Sequence, residues 1–200
     1  YLIGCFSSAY LIGKVFKKID IRTYGSGNAG ATNTIRTFGM KVGIPVLLFD
    51  ILKGLAAVKL SIFLNSPVLS ENLVEIYKIA LGTSAVIGHV FPVFASFRGG
   101  KGVATLVGVL IAIYPLSFLI ILVCFILIMI LSRIVSLSSI ICSILFPFIE
   151  IFILHETRLP LIILAIGVAL FIPYTHRENI KRLLAGTEKK FDFGKNRINK

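Results

Sequence analysis

The chain has 200 residues, of which 56% are hydrophobic and 15% charged, and lysine and arginine outnumber the acidic residues by 21 to 9. An ordinary globular domain is about 45–50% apolar and about 25% charged. The composition therefore excludes a soluble domain, a disordered tail and a disulfide scaffold. A spanning helix needs roughly 20 apolar residues, which limits a chain of this length to about seven spans. We predict an all-α polytopic membrane protein whose residues 1–200 form a single domain, with its chemistry in loops and at helix ends.

The apolar runs, in chain order, cover residues 1–13, 42–64, 73–97, 103–131, 134–154 and 159–174. The run 103–131 has no charge and measures about 44 Å as a helix, which exceeds a hydrocarbon core of roughly 30 Å. Pro115 near its middle predicts a break into two helices. With seven spans, the loop 65–72 lies outside, whereas the basic segment 14–41 and the basic C-terminal tail both lie inside, as the positive-inside rule requires.

The first polar segment, residues 24–39, reads YGSGNAGATNTIRTFG. Its glycines allow the backbone to approach a ligand closely, and its polar side chains supply hydrogen-bonding groups and one guanidinium fork suited to phosphate. These side chains are Ser26, Asn28, Thr32, Asn33 and Arg36. A helix that begins near Gly30 puts Asn33 and Arg36 on one face. The alternative is a flexible interfacial loop.

The second polar segment, residues 88–105, reads GHVFPVFASFRGGKGVAT. A glycine-rich turn with Lys101 runs directly into an apolar helix at Val103, and a helix N-terminus attracts phosphate. The segment is not a Walker A motif, because Gly102 follows the lysine where Ser or Thr is needed. The alternative is a short basic turn that obeys membrane topology. We interpret His89, on the preceding apolar helix, as structural.

The third polar segment, residues 176–188, reads HRENIKRLLAGTE. Helical spacing predicts that four of its residues share one face. They are His176, Asn179, Arg182 and Gly186. The alternative is an amphipathic helix held on anionic lipid by its basic residues. We interpret Glu188 as a structural brace that pairs with Arg36 or Lys101.

The remaining composition excludes other kinds of partner. Cys5, Cys124 and Cys142 lie in apolar runs without a CxxC pattern or suitably spaced histidines, so we predict buried thiols, no disulfide and no metal site. We interpret most basic residues as topology signals and predict no nucleic-acid partner. The sequence carries no signal for an oligomeric state.

The three segments resemble the three cytoplasmic motifs of the PlsY family, bacterial acyl-phosphate:glycerol-3-phosphate acyltransferases. The matching stretches are GSGNAGATN with IRTFG, GHVFP with FRGGKGVAT, and HRENIKRLLAGTE with KKF. The likeness runs nearly end to end and includes YLIG and LLFDILKG, although Arg98 stands where the family has lysine and Ser7-Ser8 where it has a proline-containing stretch.

The resemblance implies the first acylation step of phospholipid synthesis. A fatty acyl group passes from acyl phosphate to the sn-1 hydroxyl of glycerol 3-phosphate, which gives lysophosphatidate and inorganic phosphate. The implied location is the bacterial inner membrane, with the active face and the C-terminus in the cytoplasm. Acyl phosphate is an activated mixed anhydride, so we expect no cofactor, neither coenzyme A nor a metal.

For that reaction we predict three catalytic residues: His176, Ser26 and Asn179. The proton acceptor is His176 or a phosphate oxygen of the substrate. The residues predicted to bind phosphate and glycerol 3-phosphate are Asn28, Thr32, Asn33, Arg36, Gly99, Gly100, Lys101, Gly102 and Arg182, and the structural ones are His89, Gly186 and Glu188.

A different class of function remains open at this stage. The alternative is a small multi-pass transporter for an anionic metabolite, which needs charged residues in mid-membrane along a path. The candidates for that path are Asp50, Lys53, Lys59 and Glu150.

Overall fold

A computed structural model describes residues 1–64 and 70–191. Residues 65–69 of the predicted outer loop and residues 192–200 of the basic tail lie outside the described residues. The described chain is helical and contains no strand. It divides into two compact units, residues 1–113 and the part that begins at Tyr114. The single domain over residues 1–200 stays a prediction.

The first unit contains six α-helices within its described residues. They are α1 (Leu2–Cys5), α2 (Ser8–Leu11), α3 (Ala31–Phe38), α4 (Met40–Lys59), α5 (Glu71–Val90) and α6 (Val103–Ile113). A π-helical turn, Ile12–Phe16, continues α2, and short 3-10 turns lie at Ile21–Thr23, Leu60–Leu64 and Val93–Ala95. The helix α3 begins directly after Gly30, as predicted.

The first apolar run is not one helix, contrary to our prediction for residues 1–13. The backbone is extended at Phe6 and Ser7, which frees carbonyl groups that a continuous helix would use. The ammonium group of Lys53 donates a hydrogen bond of 2.9 Å to the Phe6 carbonyl oxygen. A charged side chain from α4 therefore supplies the hydrogen bond that this carbonyl would otherwise lack at the break.

Close contact between α4 and α6 organises the interior of this unit. A Cβ added to Gly54 on α4 would overlap the carbonyl oxygen of Thr105 on α6, and one added to Gly108 would overlap the carbonyl of Ile51. Small residues let helix backbones approach in this way in membrane proteins. The close approach fixes the position of α6, whose N-terminus follows the glycine-rich turn.

The second unit contains α7 (Pro115–Ser132), α8 (Val135–Phe148), α9 (Leu159–Thr175) and α10 (Arg177–Leu184), and a π-helical turn, Ile149–Ile153, extends α8. The predicted break at Pro115 is confirmed, because α6 ends at Ile113 and α7 begins at the proline. The Tyr114 hydroxyl donates to the Leu161 carbonyl at 2.7 Å. Its ring packs edge-on against Phe146 with centroids 5.1 Å apart.

Three described helical segments are long and apolar enough to cross a membrane: Glu71–Ala95, Pro115–Ser132 and Val135–Ile153. The pair α9 and α10, bent by 63°, adds a fourth if it counts as one span. At 11 residues α6 is too short alone, and the 20 residues of α4 include four charges. The chain is thus an all-α integral membrane protein, whereas the number of seven spans stays a prediction.

Candidate active site

The loop of the first segment is organised around the buried side chain of Asn33, which is 1% exposed. Its amide nitrogen lies 2.9–3.1 Å from three backbone carbonyl oxygens, and its oxygen accepts from the Ser26 amide at 2.8 Å. The three carbonyls belong to Ile21, Tyr24 and Asn28. Asn33 therefore holds the loop in shape from within, and its predicted contact with substrate stays a prediction.

Arg22 joins the first segment to the second, which the sequence analysis did not foresee. Its guanidinium donates to the carbonyl of Ala95 at 2.7 Å and to that of Arg98 at 3.3 Å. Asp20 fixes the same guanidinium through an ion pair of 2.8 Å, and this hydrogen bond lowers the Asp20 pKa to about 2. The Asp-x-Arg spacing at the edge of a glycine-rich segment was the only available signal for this link.

The glycine-rich turn is anchored to the end of α5. The Gly99 amide donates to the Val90 carbonyl and the Gly100 amide to the His89 carbonyl, both at 3.1 Å. These two N–H groups are therefore engaged with α5 in this conformation. Gly102 takes a left-handed φ of 84°, and its carbonyl accepts from the amide of Leu106 in the first turn of α6.

This geometry refines the predicted anion site. The first N–H groups of a helix have no partner within the helix, and here they follow Lys101 and Gly102 directly. The turn runs into a helix at Val103 as predicted. The candidate donors for an anion are therefore Lys101, Gly102 and the start of α6, and their contact with phosphate stays a prediction.

In the second unit, Glu188 collects three donors. The Ser136 hydroxyl and the Asn179 amide donate to one carboxylate oxygen at 2.7 and 2.6 Å. The Arg182 guanidinium donates to the other oxygen at 2.7 Å. Within the second unit, the ionic partner of Glu188 is thus Arg182, because the chain turns back after α10. The predicted pairing with Arg36 or Lys101 stays a prediction.

The reversal of the chain after α10 changes which residues of the third segment share one helical face. The helix α10 ends at Leu184, and Gly186 has a φ of 67°, outside the helix. The Gly186 amide bonds the Leu183 carbonyl and the Thr187 amide bonds that of Arg182, which is the pattern of a Schellman C-cap. The shared face therefore stops before Gly186, since a left-handed residue ends the helix.

His176 is 3% exposed and lies between α9 and α10. Its Nδ1 atom is 2.8 Å from the carbonyl oxygen of Ile172. A carbonyl oxygen only accepts hydrogen bonds, so Nδ1 carries the proton and Nε2 is the nitrogen that can accept one. In this tautomer Nε2 is the basic nitrogen of the ring.

The carboxylate of Glu188 makes the C-terminal turn sensitive to acid. Burial alone would raise its pKa, but the donors from Arg182, Ser136 and Asn179 outweigh burial and hold the pKa below the ordinary value of 4.5. A depressed pKa in the folded protein stabilises the fold above the unfolded-state value and ceases to do so as the pH falls through the folded-state value.

We therefore expect residues 177–188 to lose hydrogen-exchange protection, after correction for the intrinsic rate, as the pH falls from neutral to about 3. Exchange mass spectrometry in detergent measures this. The Glu188→Gln variant is the control, because it has no carboxylate to titrate and its exchange should be nearly independent of pH. Equal pH dependence in both proteins would contradict the assignment.

The structure brings the first and second segments together within the first unit, where Arg22 links them. In the second unit it brings together Asn179, Arg182 and Glu188, with His176 at the start of the same helix. Among the described residues, no group of three or more His, Cys, Asp or Glu side chains is placed to hold a metal. The first unit thus holds the candidate anion-binding elements, and the second unit holds polar amides and the buried imidazole of His176.

Comparison with known proteins agrees with this chemistry. The family model for glycerol-3-phosphate acyltransferase matches residues 1–186. The chain belongs to the glycerol-3-phosphate acyltransferase family. As a member of this family it is an acyltransferase, and the transporter alternative finds no support.

Members of this acyltransferase family match the chain over nearly its whole length. The protein from Chlorobium chlorochromatii is 44% identical over 98% of this chain and 95% of its own. The one from Fusobacterium nucleatum is 43% identical over 96% and 95%, respectively.

Two crystal structures of PlsY, an integral membrane glycerol 3-phosphate acyltransferase, have the same fold. The glycerol 3-phosphate form aligns with a TM-score of 0.81 and the lysophosphatidic acid form with 0.78. Both are 38% identical, and each alignment covers 96% of this chain and 92% of PlsY. The likeness therefore extends over both units.

Proposed function

We propose that the chain transfers a fatty acyl group from acyl phosphate to the sn-1 hydroxyl of glycerol 3-phosphate. The hydroxyl oxygen attacks the acyl carbonyl carbon, a new ester C–O bond forms, and the bond from the acyl carbon to the phosphate oxygen breaks. The hydroxyl proton passes to an acceptor in the site. The products are 1-acylglycerol 3-phosphate and inorganic phosphate.

One observation carries this proposal: the similar PlsY structures are a glycerol 3-phosphate form and a lysophosphatidic acid form. These two molecules differ by one acyl group, so they correspond to the acceptor and the product of the proposed reaction. Acyl phosphate as the donor is supported by the anion-binding turn, since a phosphate leaving group needs such a site.

Positioning and electrostatics supply the catalysis in this proposal. Lys101, Arg36 and the amides from Gly102 onward hold phosphate, while Ser26, Asn28, Thr32 and Asn179 orient the reactants. Holding two reactants in attack geometry supplies roughly 7–11 kcal/mol, and each donor aimed at the developing oxyanion adds about 2.7–4 kcal/mol. Arg182 contributes to the phosphate site while Glu188 fixes its Nε side.

His176 accepts the hydroxyl proton at Nε2 in this proposal, because Nδ1 is engaged with the Ile172 carbonyl. We expect His176→Ala to lower kcat by about 10²- to 10⁴-fold, the usual contribution of a general base. Steady-state phosphate release with palmitoyl phosphate and glycerol 3-phosphate measures this. His155→Asn is the matched control, since His155 is exposed and has a left-handed φ that asparagine tolerates. An unchanged kcat in His176→Ala would assign the proton to a substrate phosphate oxygen instead.

The reaction is tested with purified protein in lipid nanodiscs, with acyl phosphate and glycerol 3-phosphate added together or singly. We expect phosphate release and lysophosphatidate formation only when both are present. Absence of phosphate release in detergent and in lipid would overturn the proposal. Liposomes loaded with the protein provide the second arm, because uptake of glycerol 3-phosphate without acylation would indicate a transporter.

We further propose that the three segments face the cytoplasm from the bacterial inner membrane. The basic residues of segments 14–41 and 176–200 support this orientation through the positive-inside rule. Labelling of single cysteines introduced at the exposed positions Lys17 and Arg177 should need permeabilised spheroplasts. Labelling of either in intact spheroplasts would contradict the orientation.

A further inference from the structure

A buried polar cluster lies on α4 and α5, outside the residues to which the proposed reaction gives a role. Lys53 is 5% exposed, Asp50 1% and His89 2%. The Lys53 ammonium lies 2.7 Å from the Asp50 carboxylate, 2.7 Å from Nδ1 of His89 and 2.9 Å from the Phe6 carbonyl oxygen. An ammonium has three N–H donors, and these three acceptors use all of them. Ser8 adds a hydrogen bond of 3.2 Å to Asp50.

The cluster determines how the His89 ring is protonated. The ammonium donates to Nδ1 at 2.7 Å, whereas the Asp50 oxygen is 3.6 Å from the same atom. A proton on Nδ1 would point at the ammonium, so Nδ1 accepts and the proton is on Nε2. Lys53 and Asp50 form an ion pair whose charges neutralise each other.

The same histidine supports the glycine-rich turn in two ways. Its carbonyl oxygen accepts the Gly100 amide at 3.1 Å. Its Nε2 atom lies directly against Gly100, where a Cβ would overlap it. The main chain and the ring of His89 thus both contact the residue before Lys101.

Stability alone is a weak reason for this arrangement. Replacing a buried ion pair with apolar side chains of similar volume is often neutral or stabilising. What such a pair supplies is a fixed geometry. Each charged side chain restricts the position of the other, and together they restrict the His89 ring, which lies between them and the turn. In metal sites, residues behind the ligands orient them through hydrogen bonds in the same way.

We infer that Asp50, Lys53 and His89 are positioning residues that hold the turn 99–102, and with it Lys101, in the geometry that binds substrate phosphate. This inference rests on the proposed function of that turn. As positioning residues they act through the turn, so their effect is expected in how well phosphate binds and not in the chemistry of proton transfer.

The double variant Asp50→Asn/Lys53→Met tests the inference, because it removes both charges together and leaves no buried charge unpaired. We expect the KM for at least one phosphate substrate, and the inhibition constant of inorganic phosphate, to rise about 10- to 100-fold, as expected when a binding group is misplaced by about 1 Å. The melting temperature should fall modestly, because the Phe6 carbonyl loses its donor, whereas kcat per active protein should stay close to that of the wild type. Glu156→Gln/Arg158→Met is the matched control, since it also removes an ion pair, one of the second unit whose arginine is exposed.

His89 variants provide an independent measurement if the double variant does not fold. His89→Ala removes the ring with its contacts to Lys53 and Gly100 and keeps the main-chain carbonyl, whereas His89→Asn restores an acceptor near the Nδ1 position. We expect the larger rise in KM for His89→Ala and a partial recovery in His89→Asn. A purely structural role would lower the melting temperature and the active fraction with KM unchanged.

Wild-type KM values in the double variant, or in His89→Ala when the double variant does not fold, would overturn the inference. That outcome leaves the proposed function intact, because the wild-type enzyme would still release phosphate. If the wild-type protein forms no lysophosphatidate, the proposed function itself fails. The two failures are therefore distinguished by the wild-type assay.

Discussion

The Gly100→Ala variant should lose about 100-fold in kcat/KM, because the added methyl group would require the anion-binding turn to shift by a distance that matters for reactant alignment. A Cβ at this position would overlap Nε2 of His89, and that ring is held on its other side by Lys53. The ring has no room to retreat, so the turn must move. The change is therefore expected at Lys101, one residue further on.

The measurement is steady-state phosphate release at varied glycerol 3-phosphate and acyl phosphate, together with the melting temperature in detergent. Gly167→Ala is the matched control, since nothing lies within 4 Å of the Cβ that it adds. It should keep full activity and gain up to about 1 kcal/mol from helix propensity. If Gly100→Ala retains the wild-type kcat/KM, the turn tolerates displacement and its predicted role is wrong.

The Asn33→Ala variant should unfold the loop of the first segment and abolish measurable turnover. Truncation removes the acceptor of the Ser26 amide and the two N–H donors that three carbonyls share. The carbonyls of Ile21 and Tyr24 keep a backbone partner, so two groups lose their only hydrogen bond, and each buried group left unsatisfied costs about 1–3 kcal/mol. We expect the segment to lose at least about 2 kcal/mol of local stability. Ser26, whose amide binds the Asn33 oxygen, loses its orientation at the same time.

Hydrogen exchange of residues 21–33 and phosphate release measure this effect. Thr23→Ala is the control in the same loop, since it removes one exposed hydrogen bond to Asp20 and should cost less than about 1 kcal/mol. Asn33→Asp adds a finer comparison, because it keeps the acceptor for Ser26 and loses the donors. Unchanged exchange protection in Asn33→Ala would show that the loop does not depend on this side chain.

Features set by local sequence were predictable. Proline lacks an N–H donor and clashes with the preceding helical turn, and the predicted break was found at Pro115, although Pro45, Pro147 and Pro173 lie inside helices. A glycine-rich turn followed by an uninterrupted apolar run predicts a helix start, which lies at Val103 as expected. The all-α membrane class follows from composition, since few other chains of this length are so apolar.

Features that depend on distant partners were not predictable. The break at Phe6 needs Lys53 to satisfy its carbonyl, and 47 positions separate the two residues. The pairing of Arg182 with Glu188 depends on a chain reversal at Gly186, whereas helical spacing treated Gly186 as part of the helix. In both places the residue types can be read from the sequence, but which residues pair depends on the fold.

Asn33 shows why the role of a site residue is hard to predict from sequence. A polar side chain among glycines near a membrane surface suggests a ligand contact, because short donors are common in such sites. In the structure the amide binds the backbone of its own loop, and a contact with substrate stays a prediction. Sequence alone does not distinguish a residue that shapes a binding loop from one that binds, since both need the same hydrogen-bonding groups.

The length of α6 sets a condition on the surrounding bilayer. Its 11 residues give a rise of about 16 Å, roughly half the thickness of an average hydrocarbon core. If α6 crosses as the seven-span topology requires, the leaflet beside it must thin, or the turn at its N-terminus must sink toward the acyl chains. Either adjustment shortens the path between a lipid-dissolved acyl carbonyl and a water-borne hydroxyl. A short helix would then let the donor react without leaving its leaflet.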